Sequence, residues 1–387
     1  MSNQKSSSYT KLKKAGDFMS IFNNISMQQA PAVFNPISDT ANTTRVNFDD
    51  IFAYNVAVTN IIYPSSNISW RPNAVIMVPY DRWQYGVCAS SIVHFPINAP
   101  IMFTDRNFIP PIILNEILRL SPTGDNVPAQ ILVVGPISSS IENALMALGF
   151  STYRITAFED VYRACYDIID FRFNVVPSES EIGKKDVMVI SGEDYSEGIP
   201  AAFYAAHMDV PIILVQQNSI PQPIQNFILS NRGKNYFIVG STRTVSENVE
   251  AQIRNSITGT IHRISGNDPY TIAINFARYQ SPVDDFGWKH NTRNGWAFSF
   301  GELSKWHHLI SSVMFAHLSK HTPLLLVDRN SMPASVREYV TSVNPSKEMA
   351  HMPPYMHSYI LGSFSDISHE TQVAVEEVMD IMSKMEH

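Results

Sequence analysis

Arg45, Arg154 and Arg263 stand 109 residues apart, and each is followed by a β-branched aliphatic residue and, five positions on, by a carboxylate: Asp50, Glu159 and Asp268. Solenoid repeats recur every ~20–50 residues. A period this long is instead a domain-sized unit written three times, so whatever the chain folds into must be a shape that three similar small domains can share.

Two more landmarks keep the same order in each copy. An apolar run led by Pro and closed by an Asn-containing turn and a second Pro appears as Ala99–Pro110, Val210–Pro221 and Thr322–Pro333. An apolar pair running into Gly, then an aliphatic-Ser step, appears as Val133-Val134-Gly135 with Ile137-Ser138, Ile238-Val239-Gly240 with Val245-Ser246, and Ile360-Leu361-Gly362 with Ile367-Ser368. Within a copy, short buried-type strands alternate with helical periodicity, as in Ile51-Phe52-Val56-Val58, Val161-Ala164-Cys165-Ile168 and Ile272-Ile274-Phe276-Ala277. Asp49, Asp160 and Asn267 are the expected helix caps, and Pro269 suits a first turn. The first strands are read at Ala74–Val78, Val187–Ile190 and Trp296–Phe300. Strands of four to six apolar residues alternating with helices make parallel α/β sheets with right-handed crossovers. The expected fold is α/β: three tandem Rossmann-like, flavodoxin-like subdomains packed as a pseudo-threefold trimer. The expected divisions are a polar arm at 1–41 and repeats at 42–160, 161–270 and 271–387. Pro177–Lys185 and Ser281–Asn294 read as loops.

At 387 residues the chain is long enough for about three domains of the common size. Apolar residues make up 44% and charged residues 16%, which excludes a solvated disordered chain. A formal charge of −7 gives no general attraction to nucleic acid or anionic membrane, and charged, Asn or Pro residues interrupt every apolar stretch before it reaches membrane-spanning length. Cys88 and Cys165 fall in helical stretches and do not indicate a disulfide framework. The polar start, Met1–Ser8 followed by Lys11, Lys13 and Lys14, does not read as a secretory signal. The plain reading of the arm is disorder; the other is docking on a neighbouring subunit, because Phe18, Ile21, Phe22 and Phe34 are costly to leave in water.

Catalytic templates fail one after another. The first strand-to-helix turns, Pro79–Arg82, Ser191–Asp194 and Gly301–Ser304, lack Gly-x-Gly-x-x-Gly and carry acidic residues where a pyrophosphate would need amides. Gly233-Lys234 is followed by Asn235, so no P-loop forms. Ser196 lacks the Gly two residues before it that a nucleophile elbow requires. His317 and His321, with His307 and His308 upstream, have no counterparts in the other copies and read as packing residues, not as a zinc site. Asp49-Asp50 and Glu193-Asp194 read as helix starts. No enzyme, cofactor or metal is expected.

What recurs is the arginine with its carboxylate. Arg45, Arg154 and Arg263 could each fork onto Asp50, Glu159 and Asp268 and pin a junction between copies. Alternatively, the three arginines could present guanidinium groups to an anionic ligand at three junctions, with avidity.

Arg263-Ile264-Ser265-Gly266-Asn267-Asp268-Pro269-Tyr270 resembles the signature of the cell-wall-binding repeat type 2 family. Ser191–Tyr195 with Ala201–Ala206, the Asn-x-(Ile/Met)-Pro turns and Val239–Ser246 are similar to its other motifs. The likeness covers about residues 42–387. It implies a non-catalytic three-subdomain module of Gram-positive surface proteins, S-layer-like ones among them, binding an anionic cell-wall polysaccharide, with Arg45, Arg154, Arg263, Asp50, Glu159 and Asp268 at the matching junction positions. It also implies a cell-surface or extracellular location, although a chain without a recognisable signal could be made in the cytoplasm and released unconventionally. Self-assembly into a filament or lattice through the arm and the subdomain surfaces is the leading expectation, with Trp83, Tyr85, Trp288, Trp296 and Trp306 as candidate contact aromatics, although core or inter-subdomain packing is the plainer account of those five. Polysaccharide anchoring is the alternative.

Overall fold

The computed structural model describes residues 38–291, 297–318, 321–343 and 357–379. The expectations placed on Phe18, Ile21, Phe22, Phe34 and Trp296 lie outside the described residues. Twelve described strands make three four-stranded sheets, every pair in them parallel. One sheet holds β2 (Val75–Pro79), β3 (Ile101–Thr104), β4 (Ile131–Val134) and β5 (Thr152–Thr156) in the order β3-β2-β4-β5. The next repeats that order with β6 (Asp186–Ser191), β7 (Ile212–Val215), β8 (Asn235–Val239) and β9 (Ile261–Ile264) as β7-β6-β8-β9.

The third sheet departs from contiguity. It contains β10 (Ser299–Gly301), β11 (Leu324–Leu326) and β12 (Ser358–Leu361), and its outer strand is β1 (Thr43–Val46) from the other end of the chain. Thr43 lies opposite Ser358 and Val46 opposite Leu361. The Arg45 strand, which opens the first copy in sequence, therefore completes the sheet of the last.

Strand side chains alternate between faces, and the third sheet shows the consequence. Leu324, Leu326, Tyr359 and Leu361 join the large core shared with the other two sheets, whereas Phe300, Leu325 and Ile360 join a second cluster with Val336, Val340 and Val375. Each such buried side chain contributes about 1.5–3 kcal/mol. Burial on both faces explains why these strands read as unbroken apolar runs.

Helix starts follow the sequence reading with a shift. Asp160 caps helix Val161–Asp170 as expected, accepting from the amides of Tyr162 and Arg163. In the other copies the cap is Asp50, not Asp49, on Ile51–Ile62, and Asp268, not Asn267, on Pro269–Arg278. The cause is a bulge. Val133 faces Arg154 but Val134 faces Thr156, so Ile155 is an extra residue in β5 and the cap falls six positions after Arg154, not five. The stretch 177–185, expected as loop, contains a short helix, Glu181–Lys185, because the Ser180 hydroxyl caps it at the Gly183 amide, 2.8 Å away.

The second helices of the copies, Trp83–Ala89, Pro200–Met208 and the pair Trp306–Ser311 and Met314–His317, bring each copy against both others. Trp83 meets Tyr195 edge-on at 5.6 Å, Trp306 meets Phe103 at 5.9 Å, and the Tyr54 hydroxyl is 2.8 Å from that of Ser312. Trp288 stacks on His207 at 4.7 Å, and the Tyr85 hydroxyl donates to the carbonyls of Phe158 and Glu159. Trp83, Trp288 and Trp306, named as candidate contacts between chains, thus pack between copies within the chain, and Tyr85 bonds within its own copy. Among the described residues no helix is long and apolar enough to cross a membrane.

Candidate functional site at the arginine-bearing junctions

The three sequence landmarks converge at the carboxyl end of each sheet. The glycine after the third strand has positive φ in every copy: 87° at Gly135, 146° at Gly240 and 152° at Gly362, a region L side chains avoid. Each glycine carbonyl accepts from the repeated arginine: Gly135 from Arg154 at 3.2 Å, Gly240 from Arg263 at 3.1 Å, Gly362 from Arg45 at 2.9 Å. The Ser three to six residues on caps the closing helix as Ser138, Ser246 and Ser368. The amides of those serines donate to the carbonyls of Arg106, Gln217 and Arg329 in the Asn-containing turns, at 2.7, 2.9 and 2.7 Å. Strand, glycine turn, helix cap and Asn turn are one hydrogen-bonded assembly, made three times.

The arginines do not fork onto the carboxylates five residues later. Arg154 pairs with Glu142, and Arg263 with Glu250 at 2.8 Å, both on the closing helix of the same copy. In the third copy the matching partner is Gln372, whose side-chain oxygen accepts from Arg45 Nε at 2.9 Å. Arg45 is only 4% exposed; it also donates to the carbonyls of Ser363, Ile367 and Ser368, and lies over the Phe364 ring at 4.1 Å. Burial lowers its pKa to about 10, against the pull of Asp366. Asp50 and Asp268 serve as caps, and Glu159 pairs with Arg106. Sequence reasoning missed Glu142, Glu250 and Gln372, although Glu142 and Glu250 each sit on the helix just before their arginine strand and Gln372 holds the matching place on the last helix.

The crevice between the first and third strands, where doubly wound sheets hold ligands, is filled by the protein's own groups. In the second copy Glu197, 2% exposed, accepts from the Ser241 amide at 2.7 Å, from the Thr244 hydroxyl at 2.6 Å and from Arg243. Burial pushes this carboxyl up, but those donors more than offset it and hold it below the usual range. In the third copy Asp366 pairs with Lys305 at 2.7 Å and lies 3.4 Å from His308. In the first, Pro79 and Tyr85 close on Gly135. At the rim, Arg106 bridges Asp81 and Glu159, and the more exposed Arg243 bridges Asp194 and Glu197.

The histidines fall in two groups. His307 lies 2.7 Å from the Tyr80 carbonyl, and His308 stacks on Tyr54 at 3.9 Å. His317 lies against His94, and His321 is 3.2 Å from His207. Among the described residues no group of three or more His, Cys, Asp or Glu is placed to hold a metal ion.

Residues 159–250 match the family described as Cell wall binding domain 2 (CWB2). The chain is 26% identical over 318 residues to the amidase enhancer of Bacillus subtilis (strain 168), a match covering 80% of this chain and 37% of that protein. Its fold is that of Cwp6 from Clostridium difficile, with TM-score 0.67 and 16% identity over 90% of this chain and 50% of that one. Cwp8 from the same organism gives TM-score 0.68 and 18% identity over 97% of this chain and 56% of its own. The chain thus spans between about a third and just over half of the length of these proteins. It is a triplicated Rossmann-like scaffold whose residues 159–250 match Cell wall binding domain 2 (CWB2).

Proposed function

We propose that the chain is a non-catalytic, cell-wall-associated module that holds an anionic wall polymer at the junctions between its copies. The observation that carries this reading is the threefold assembly of strand arginine, glycine turn and helix cap, in a chain whose central copy matches a wall-binding family. Arg45, Arg154 and Arg263 shape the junction loops, and Arg106 and Arg243 stand at their rims. A guanidinium already shared by two carboxylates gives little to a single anion. Several weak contacts along one polymer then add by avidity. A surface location follows from the same reading.

The test is a pull-down with purified Gram-positive cell walls at rising salt. Binding should weaken with salt and fall at least about tenfold in the Arg106→Ala/Arg243→Ala double variant. Wall binding that ignores both rim arginines, and also Arg154→Ala with Arg263→Ala, would reject the junction site.

Self-assembly is the second reading, and β1 favours it. The sheet of the last copy is finished by a strand lying directly after the amino-terminal segment. Sedimentation of the full-length chain against one lacking residues 1–37 tests it: larger particles that become monomers support assembly, and identical monomeric profiles reject it.

A further inference from the structure

The sockets for Arg154 and Arg263 are filled by strands that directly follow their own closing helices, as the short steps from Glu142 to Arg154 and from Glu250 to Arg263 show. The third socket is built the same way but its strand comes from the opposite end of the chain. Only noncovalent contacts hold β1 there. Among the described residues they include the parallel ladder to Ser358–Leu361, the Arg45 fan onto four carbonyls and Gln372, and two polar clasps outside the ladder. In the first clasp Glu376 accepts from the Thr40 hydroxyl, from the Asn42 amide at 3.0 Å and from the Asn42 side chain at 2.8 Å. In the second, Asp49 accepts from the hydroxyls of Ser363 and Ser365. Everything the third socket recognises lies within residues 39–49.

We propose that β1 is exchangeable between copies of this chain: residues 39–46 of one molecule seat on the Ser358–Leu361 edge and in the arginine socket of a second. This rests on the self-assembly reading and names its route. By the usual logic of domain swapping, an exchanged strand remakes the ladder, the arginine socket and the Glu376 clasp, so exchange is nearly neutral apart from the hinge, which contains Asp49. The ladder supplies backbone hydrogen bonds, as in other strand additions, and the arginine socket supplies specificity. The hinge is Asn47–Asp50, where Phe48, Asp49 and Asp50 are exposed. Within one chain the strand is tethered at an effective concentration on the order of mM. Exchange therefore belongs to crowded chains or to strands transiently released.

Cross-linking tests this on the full-length chain. Asn42→Cys and Glu376→Cys replace one clasp at the edge of the contact and leave the ladder and socket intact, and the native Cys88 and Cys165 are buried away from reagent. The double variant, treated with a short bismaleimide, should cross-link within one chain; failure to do so overturns the closing geometry and the proposal with it. The two single variants are then mixed, passed through mild urea, concentrated and treated. A covalent dimer at least about tenfold above the unmixed controls is expected. Oligomers in sedimentation without that dimer would overturn strand exchange and leave assembly by another surface. Neither oligomer nor dimer would overturn both.

Discussion

Arg45 Nε donates to the side-chain oxygen of Gln372 across 327 positions of sequence. The equivalent bonds in the other copies join residues 12 and 13 positions apart, Arg154 with Glu142 and Arg263 with Glu250. One interaction is local twice and links the two ends of the chain once. In the local cases a carboxylate balances the guanidinium; in the long-range case a neutral amide and four carbonyls do.

Removing Arg45 should therefore cost more than removing its counterparts. Arg45→Ala leaves several buried carbonyls without a donor and should destabilise by about 3 kcal/mol or more, read as a lower urea midpoint. Arg45→Lys should recover little of this, because one ammonium cannot span the same fan of acceptors. Arg154→Ala and Arg263→Ala, on more exposed side chains, should cost about half as much.

Glycine substitutions separate backbone strain from space. Gly240→Ala places a methyl 2.7 Å from Thr244 Oγ1 at φ 146° and should cost about 1–3 kcal/mol. Gly233→Ala meets nothing within 4 Å and should be neutral or stabilising by up to about 1 kcal/mol. Thermal melts of the pair check both.

The bulge in β5 predicts which acidic residue matters at the second junction. Asp160→Ala removes the cap of helix Val161–Asp170 and should cost about 1 kcal/mol. Glu159→Ala loses only a largely exposed ion pair with Arg106 and should stay within about 0.5 kcal/mol of the parent in denaturant titration.

Two buried groups give opposite pH dependences. Burial raises Asp186 to about 7, so the folded state binds its proton more tightly; that contribution is complete below the ordinary Asp range and is lost as pH rises through about 7. Asp186→Asn should flatten the decline in stability between about pH 4 and pH 7. Burial lowers His207 to about 3, with His321 and His94 nearby adding to the effect. Its contribution is complete above the ordinary His value and falls as pH drops from about 6.5 toward 3. His207→Gln should make acid unfolding begin at lower pH.

The fold was legible because both faces of each sheet are covered, which leaves unbroken apolar strands, and because three copies report the same punctuation. Pro110, Pro221 and Pro333 stand at helix starts as read, each at the cap position. The arginine's partner was not legible. Spacing drew attention to Asp50, Glu159 and Asp268, but a side chain on a strand reaches the helix packed beside it in the sheet, not the next residues along the chain. Nor could the period show that β1 belongs to the last sheet, since a repeat has no marked origin. The glycine turn and the arginine were each visible as landmarks; only their shared hydrogen bond shows that one exists for the other.

That missing origin has a practical side. Because β1 stands to the third copy as β5 and β9 stand to the first and second, the circle could be cut elsewhere and its present ends joined by a linker. A circularly permuted gene beginning at Val161, after the first junction, should yield the same three-bladed body. Every fourth strand, β1 included, would then directly follow its own closing helix, and no sheet would be finished from the far end of the chain.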